Sequence, residues 1–148
     1  MKPAMLALST FRYSDGPIKL AIEKAKAAGK LVIVYVVDVN LARYMVGSDV
    51  GFLSDLRERY EAEVLEEYRV KAEKRVQEIG DRARSQRIEV VAYVRTGRFA
   101  LECLDIIGQE NPECVVTTRS RRPGWVKKFF GSPVDYLIKH APCPVIEN

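Results

Sequence analysis

The feature that most constrains the fold of this chain is an uninterrupted apolar run, "LVIVYVV", at residues 31–37. Most of its residues are β-branched, and no polar residue alternates with them. A run of this kind indicates a strand that is covered on both faces, as in a parallel sheet. Because parallel strands need crossover connections, the pattern also predicts helices between the strands.

The rest of the chain alternates strand-like and helix-like segments as this requirement predicts. Further strand-like segments lie at residues 5–8, 88–94, 114–117 and 144–146. Helical patterns fill the gaps at residues 15–29, 54–85, 99–109 and 132–140. With right-handed crossovers, this order predicts an α/β fold: an open five-stranded parallel sheet, doubly wound and Rossmann-like, with helices on both faces. The length suits a single domain over residues 1–148.

Composition removes several classes of function. The net charge is 24 − 20 = +4, a small excess that makes nucleic-acid binding unlikely. The chain has one histidine and three widely spaced cysteines, so we expect no metal site and three reduced thiols. There is no apolar run of membrane-spanning length and no signal-peptide pattern. We therefore expect a cytoplasmic protein that does not bind membranes.

The predicted sheet places the candidate ligand-binding residues at the carboxyl ends of its strands. In open α/β sheets, ligands bind there, where the strand order reverses. The residues expected at these ends are Ser9, Thr10, Val37, Asp38, Thr117 and Thr118.

A basic loop follows the fourth strand and is the strongest anion-binding candidate. Residues 117–132 contain five Lys or Arg and no Asp or Glu. The loop includes Arg119 and Arg121, and it ends in Gly131 and Ser132 at a predicted helix N-terminus, where N–H groups favour anions. The alternative is a basic surface connection in which Ser132 only caps its helix. Neither a P-loop nor a dinucleotide fingerprint is present.

Three motifs resemble those of the universal stress protein family: "VVD" after the second strand, "VRTG" after the third, and the C-terminal "GSPVDYLIKHAPCPVIEN". The resemblance covers nearly the whole chain. It implies a sheet of the adenine-nucleotide alpha-hydrolase-like class, a role in stress responses and a homodimer. One branch of that family binds ATP and another does not, so ATP with Mg²⁺ is a candidate ligand.

The glycine motif that marks the ATP-binding branch, G-x2-G-x9-G-[ST], is only partly present. Counting back from Gly131 places Arg121 and Thr118 at the two earlier glycine positions. Ser9 stands where the resemblance implies an aspartate at the end of the first strand. Either nucleotide binding is weakened, or Arg119 or Arg121 replaces backbone contacts with charge-assisted bonds to phosphate or another anion.

The expected function is therefore that of a regulatory, homodimeric, stress-protein-like domain that binds ATP or another anion. The alternative is a dimeric interaction module of the same fold that binds no nucleotide. We predict no catalytic residues and no enzyme activity, because no general base, metal cluster or nucleophile pair is recognisable. The dimer contact is expected at Val145 and Ile146, on a short apolar edge strand.

Overall fold

The computed structural model describes residues 2–10, 12–39, 54–119 and 133–148. Within them, the strands are β1 (Ala4–Ser9), β2 (Lys30–Asp38), β3 (Glu89–Gly97), β4 (Cys114–Thr117) and β5 (Val145–Glu147). The helices are α1 (Asp15–Ala28), α2 (Ser54–Arg84), α3 (Phe99–Glu110) and α4 (Pro133–His140). Each predicted strand and helix is present, and the predicted α/β fold is confirmed.

The five strands form one sheet in the order β3-β2-β1-β4-β5, and every neighbouring pair is parallel. β2 is buried over seven consecutive residues, as its apolar run predicts. β1 is buried along its whole length because it lies between β2 and β4 with helices on both sides. The edge strand β3 is only partly buried.

The two faces of the sheet carry different helices. α1 and α2 pack on one face, where Ile18 and Ile79 join Leu6 and Ile33 in one core cluster. α3 and α4 cover the other face, where Ile106 and Leu137 join Met5, Val34 and Val115 in a second. Alternate residues of each central strand point to opposite faces, which is why both faces need apolar side chains.

Strand ends extend beyond the apolar runs that reveal them. β3 continues through the polar residues Arg95 and Thr96 to Gly97, because Gly97 pairs with Asp38 at the end of β2. Backbone pairing depends little on side-chain polarity, so an apolar pattern cannot mark these last residues. The extension fixes the carboxyl ends of both strands at the same level.

α2 is longer than the strands that it covers. Its 31 residues span about 46 Å, whereas a nine-residue strand spans about 30 Å. The apolar stripe of the helix, spaced by three and four residues, reaches the core at Ala72, Val76, Ile79 and Ala83, and Tyr68 packs against that core. Tyr60, which belongs to the same stripe, is exposed, because the first turns extend past the end of the sheet.

Candidate functional site

The predicted strand-end residues lie together at the carboxyl end of the sheet. Ser9 ends β1, Asp38 ends β2 after the buried Val37, and Thr117 ends β4. The chain passes from β1 outward to β2 and β3, and then returns across β1 to β4. The strand order therefore reverses between β1 and β4, and the crevice at this switch point is the candidate site.

Part of the predicted anion site falls outside the described residues. Arg121, Gly131 and Ser132 belong to this part, so the anion cradle at the start of α4 stays a prediction. Arg119 is described and exposed, and its backbone N–H donates to the carbonyl oxygen of Asn148 at 3.1 Å. This bond continues the β4–β5 pairing past the end of both strands.

The connection between β1 and α1 turns back tightly on the end of β1. The backbone N–H of Ser9 donates to the carbonyl of Arg12 at 3.1 Å, and the N–H of Arg12 donates to the carbonyl of Ser9 at 3.0 Å. The N–H of Thr10 donates to the carbonyl of Val36 in β2 at 3.3 Å. These bonds fix the backbone on both sides of Thr10.

Arg12 is the main site residue that the sequence analysis missed. Its Nη1 donates to the carbonyl oxygen of Thr118 at 3.0 Å, across the switch point. Its guanidinium carbon lies 5.6 Å from the centre of the Phe99 ring at the start of α3, a cation–π arrangement. Only 6% of Arg12 is exposed. A buried positive charge therefore lies at the switch point, where open α/β sheets commonly bind ligands.

A second arginine fixes the same loop on the opposite face of the sheet. Arg75 of α2 lies over the ring of Tyr13, with 4.4 Å between the guanidinium carbon and the ring centre. Its Nη1 also donates to the hydroxyl of Tyr35 at 3.0 Å. Burial raises the pKa of Tyr35, and the positive charge of Arg75 opposes that shift. Arg12 and Arg75 thus attach adjacent residues of one loop to β4 and to α2.

Three threonines at the strand ends differ in how their hydroxyls are satisfied. The Thr117 hydroxyl donates to the carbonyl of Ala7 in β1 at 2.9 Å. The hydroxyl oxygens of Thr10 and Thr118 are buried and have no hydrogen-bond partner among the described residues. Such a group costs about 1–3 kcal/mol when it is left unsatisfied. The two hydroxyls lie just past the ends of β1 and β4, on either side of the switch point.

The described part of the site contains no ionised thiol and no cluster of metal-ligating side chains. Cys103 of α3 is fully buried. Burial raises the pKa of its thiol, Glu102 raises it further, and Arg12 opposes the shift, so the thiol stays protonated at neutral pH. The described residues include no group of three His, Cys, Asp or Glu side chains that could bind a metal ion. None of their helices is both long and apolar enough to cross a membrane.

Comparison with known proteins decides the family. The model of the universal stress protein family matches residues 1–146. The chain belongs to the universal stress protein family. No curated protein matches its sequence.

Solved universal stress proteins have the same fold. UspA from Lactobacillus plantarum has a TM-score of 0.71 at 18% identity, with 98% of this chain and 96% of that chain covered. A universal stress protein in complex with cAMP has a TM-score of 0.58 at 10% identity, with 99% and 96% covered. A family protein from Arabidopsis thaliana with AMP bound has a TM-score of 0.52 at 13% identity, with 98% and 90% covered. At these identities the likeness shows the fold.

The position of Arg12 in the sequence is itself an indication that this residue lies near the candidate site. It follows the buried β1 by three residues, in "STFRYSDG", before the first helical residue Asp15. A long cationic side chain directly after a central strand lies at the carboxyl end of the sheet, where open α/β folds bind ligands. The pattern could not show that the side chain crosses to Thr118, because that contact joins residues 106 positions apart.

Proposed function

We propose that this universal stress protein is a regulatory domain, spanning residues 1–148, that binds an adenine nucleotide in the crevice between β1 and β4. The observation that carries the proposal is the pair of buried, unpartnered hydroxyls of Thr10 and Thr118 on either side of the switch point. Buried polar groups in folded proteins are almost always hydrogen-bonded, so orphaned ones at a ligand edge point to a missing partner. A nucleotide phosphate or ribose supplies acceptors and donors of the required kind.

The proteins of this fold with cAMP and AMP bound support the choice of ligand. Ser9, Val37, Asp38, Thr117 and Arg119 are the further residues proposed to line the site. Asp38 has the acceptor oxygens that a ribose hydroxyl needs, and Arg119 offers a cation beside the phosphate position. ATP with Mg²⁺ is the candidate that the family resemblance favours.

Titration calorimetry with the full chain tests this proposal. ATP, ADP, AMP and cAMP are each added with and without Mg²⁺, and protein purified without added ligand is analysed for bound nucleotide. We expect saturable binding of at least one adenine nucleotide at micromolar to low millimolar concentration. Absence of binding by all four at several millimolar contradicts the proposal.

The second candidate is a dimeric interaction module that binds no nucleotide. The observation in its favour is that Thr118 and Arg121 stand where the ATP-binding branch of the family has glycines. The backbone of Thr118 does not adopt a positive φ, so it does not follow the left-handed path that a glycine permits, and the close approach of that backbone to a phosphate is lost. The calorimetric result above separates the two candidates.

We also propose a homodimer that forms through the outer edge of β5. β5 has three residues, and among the described strands only β4 pairs with it. Its residues Val145 and Ile146 are partly buried on the two faces of the sheet. An apolar strand with one unpaired edge is a template for pairing with another chain.

Glu147→Pro tests this interface with little effect on the domain. The N–H of Asn148 donates to Thr117, and successive N–H groups of a strand alternate in direction, so the N–H of Glu147 points away from β4. Proline removes only that outward donor and is tolerated on an edge strand. In analytical ultracentrifugation at micromolar concentration, we expect a dimer for the natural chain and for Glu147→Ala, and a monomer for Glu147→Pro. A monomeric natural chain, or a dimer that persists in Glu147→Pro, contradicts the interface.

We also propose that the protein acts in the cytoplasm and that it does not catalyse a reaction. Cys103, Cys114 and Cys143 are free thiols, which fits a reducing compartment. We expect no ATP hydrolysis near ordinary enzyme rates of about 1 per second. Turnover at that rate that follows the protein through purification and disappears on mutation of Thr118 contradicts this expectation.

A further inference from the structure

The crevice contains a cation that is already part of the fold. The guanidinium of Arg12 lies between the Phe99 ring, 5.6 Å away, and the Thr118 carbonyl, which accepts a hydrogen bond of 3.0 Å. Burying a charge that has a full set of aqueous contacts in the unfolded chain costs several kcal/mol. Arginines of helix α2 such as Arg69, Arg82 and Arg84 have much more exposed side chains than Arg12. Arg12 therefore places a positive charge inside the candidate ligand crevice.

The unpartnered hydroxyls are a separate observation at the same place. Thr118 is 5% exposed, and its hydroxyl oxygen is orphaned while its carbonyl oxygen accepts from Arg12. The Thr10 hydroxyl is orphaned two residues before Arg12. Hydroxyls and a guanidinium all donate hydrogen bonds, so together they favour a ligand rich in acceptor oxygens.

We propose that Arg12 recognises the phosphate group of a ligand in the crevice, with the hydroxyls of Thr10 and Thr118 as accompanying donors. A guanidinium has five N–H donors, so Arg12 bonds phosphate oxygens while its Nη1 stays bonded to the Thr118 carbonyl. Bonds to phosphate are favourable because both partners carry a charge. The planar fork of arginine also matches two phosphate oxygens at once.

This inference rests on the proposed crevice but not on a nucleotide occupying it. Free inorganic phosphate and the phosphate of AMP present the same oxyanion, and the two probes distinguish a phosphate site from a nucleotide site. A guanidinium supplies the positive charge that phosphate needs. Phosphate recognition by Arg12 is therefore expected without Mg²⁺.

The experiment is calorimetric titration of the full chain with inorganic phosphate and with AMP, without Mg²⁺ and at constant ionic strength. Arg12→Gln is expected to weaken phosphate binding by about tenfold or more, the usual effect of losing a hydrogen bond to a charged group. Arg12→Lys keeps the charge but loses the fork, so we expect an intermediate loss. Thr118→Val is expected to weaken binding several-fold.

Arg95→Gln is the matched control. The Arg95 guanidinium carbon also lies 5.6 Å from the centre of an aromatic ring, that of Tyr93, but on the edge strand β3 away from the switch point. The variant loses the same charge, so a general electrostatic effect on anion binding appears equally in both glutamine variants. We expect a change of less than about twofold in the control, because the partly exposed Arg95 guanidinium pairs with Asp105 at 3.7 Å and solvent screens its charge.

Each result supports or overturns the assignment. Equal phosphate affinity in Arg12→Gln and Arg95→Gln overturns it, and any AMP binding that persists then leaves the nucleotide proposal standing. No phosphate binding by the natural chain also overturns it. Phosphate binding that depends on Arg12, with AMP bound no more tightly than inorganic phosphate, supports the assignment, and the titrations with ATP, ADP and cAMP then decide the nucleotide proposal. Should Arg12→Gln fail to fold, Arg12→Lys and Thr118→Val decide by the same comparison, since both keep the size of the side chain.

Discussion

Thr117 and Thr118 are neighbouring buried threonines for which the structure predicts opposite effects of one substitution. Thr117 is 0% exposed and Thr118 is 5% exposed, and only the Thr117 hydroxyl has a hydrogen-bond partner. Valine has nearly the shape of threonine, so the substitution removes the hydroxyl and leaves the packing in place. In Thr117→Val a bond worth about 1 kcal/mol is lost. In Thr118→Val an unsatisfied group that costs about 1–3 kcal/mol is removed.

We therefore expect the free energy of unfolding to fall by about 1 kcal/mol in Thr117→Val and to rise by at least about 1 kcal/mol in Thr118→Val. For a domain of this size, each kcal/mol corresponds to a change in Tm of roughly 3 °C. Urea unfolding of both variants and the natural chain, in buffer without phosphate, measures the difference. Equal m-values confirm that the unfolded states are comparable.

A loss of stability in Thr118→Val that equals the loss in Thr117→Val refutes the reasoning. It would mean that the Thr118 hydroxyl has a partner in the free protein, such as a buried water molecule. The hydroxyl would then give no reason to assign a ligand to the crevice. A gain in stability together with weaker phosphate binding would show that the natural residue is kept for the ligand at a cost to the fold.

Three further perturbations test other parts of the structure. Gly29 ends α1 with φ 81°, so Gly29→Ala should lower the free energy of unfolding by about 1–2 kcal/mol. Gly108 lies within α3, and an added methyl group there meets no neighbouring atom, so Gly108→Ala should raise the free energy of unfolding by up to about 1 kcal/mol. Urea unfolding in which both variants shift the same way contradicts this pair of predictions. Tyr35→Phe removes the acceptor of the Arg75 bond and should lower the unfolding free energy by about 1–2 kcal/mol, and an unchanged urea midpoint would show that the bond contributes nothing. Thiol labelling of the native protein should modify the partly exposed Cys143 well before the fully buried Cys103, and mass spectrometry showing equal rates contradicts the burial.

The sequence predicted the fold because each central element carries a local pattern. The run at residues 31–37 and the helical spacing at 72, 76, 79 and 83 both reflect burial that the structure confirms. The sequence also predicted the strand ends, since Ser9, Asp38 and Thr117 are the last residues of β1, β2 and β4. It overestimated the apolar face of α2, because periodicity does not show where a helix outruns its sheet, and Tyr60 is exposed for that reason.

The contacts that define the candidate site were beyond sequence reasoning. Arg12 meets Thr118 across 106 positions, and Thr117 meets Ala7 across 110. Contacts of this kind depend on which strands become neighbours and on the direction of individual side chains. Nor can a sequence distinguish Thr117 from Thr118, although one hydroxyl is satisfied and the other is not.

The central position of β1 in the sheet has a consequence for how the protein folds. β1 pairs with β2 across 27 residues, since Ala4 aligns with Leu31, but with β4 across 110, since Ala4 aligns with Cys114. The longer loop adds only about 1.2 kcal/mol of closure entropy. During synthesis at about 5–20 residues per second, however, the nascent chain carries an unpaired edge on its central strand for several seconds before β4 emerges. Until β4 pairs with it, that apolar edge is a template for association with other chains. Any folding intermediate that lacks β4 also lacks the Thr118 carbonyl, and its Arg12 has yet to reach its place across the switch point.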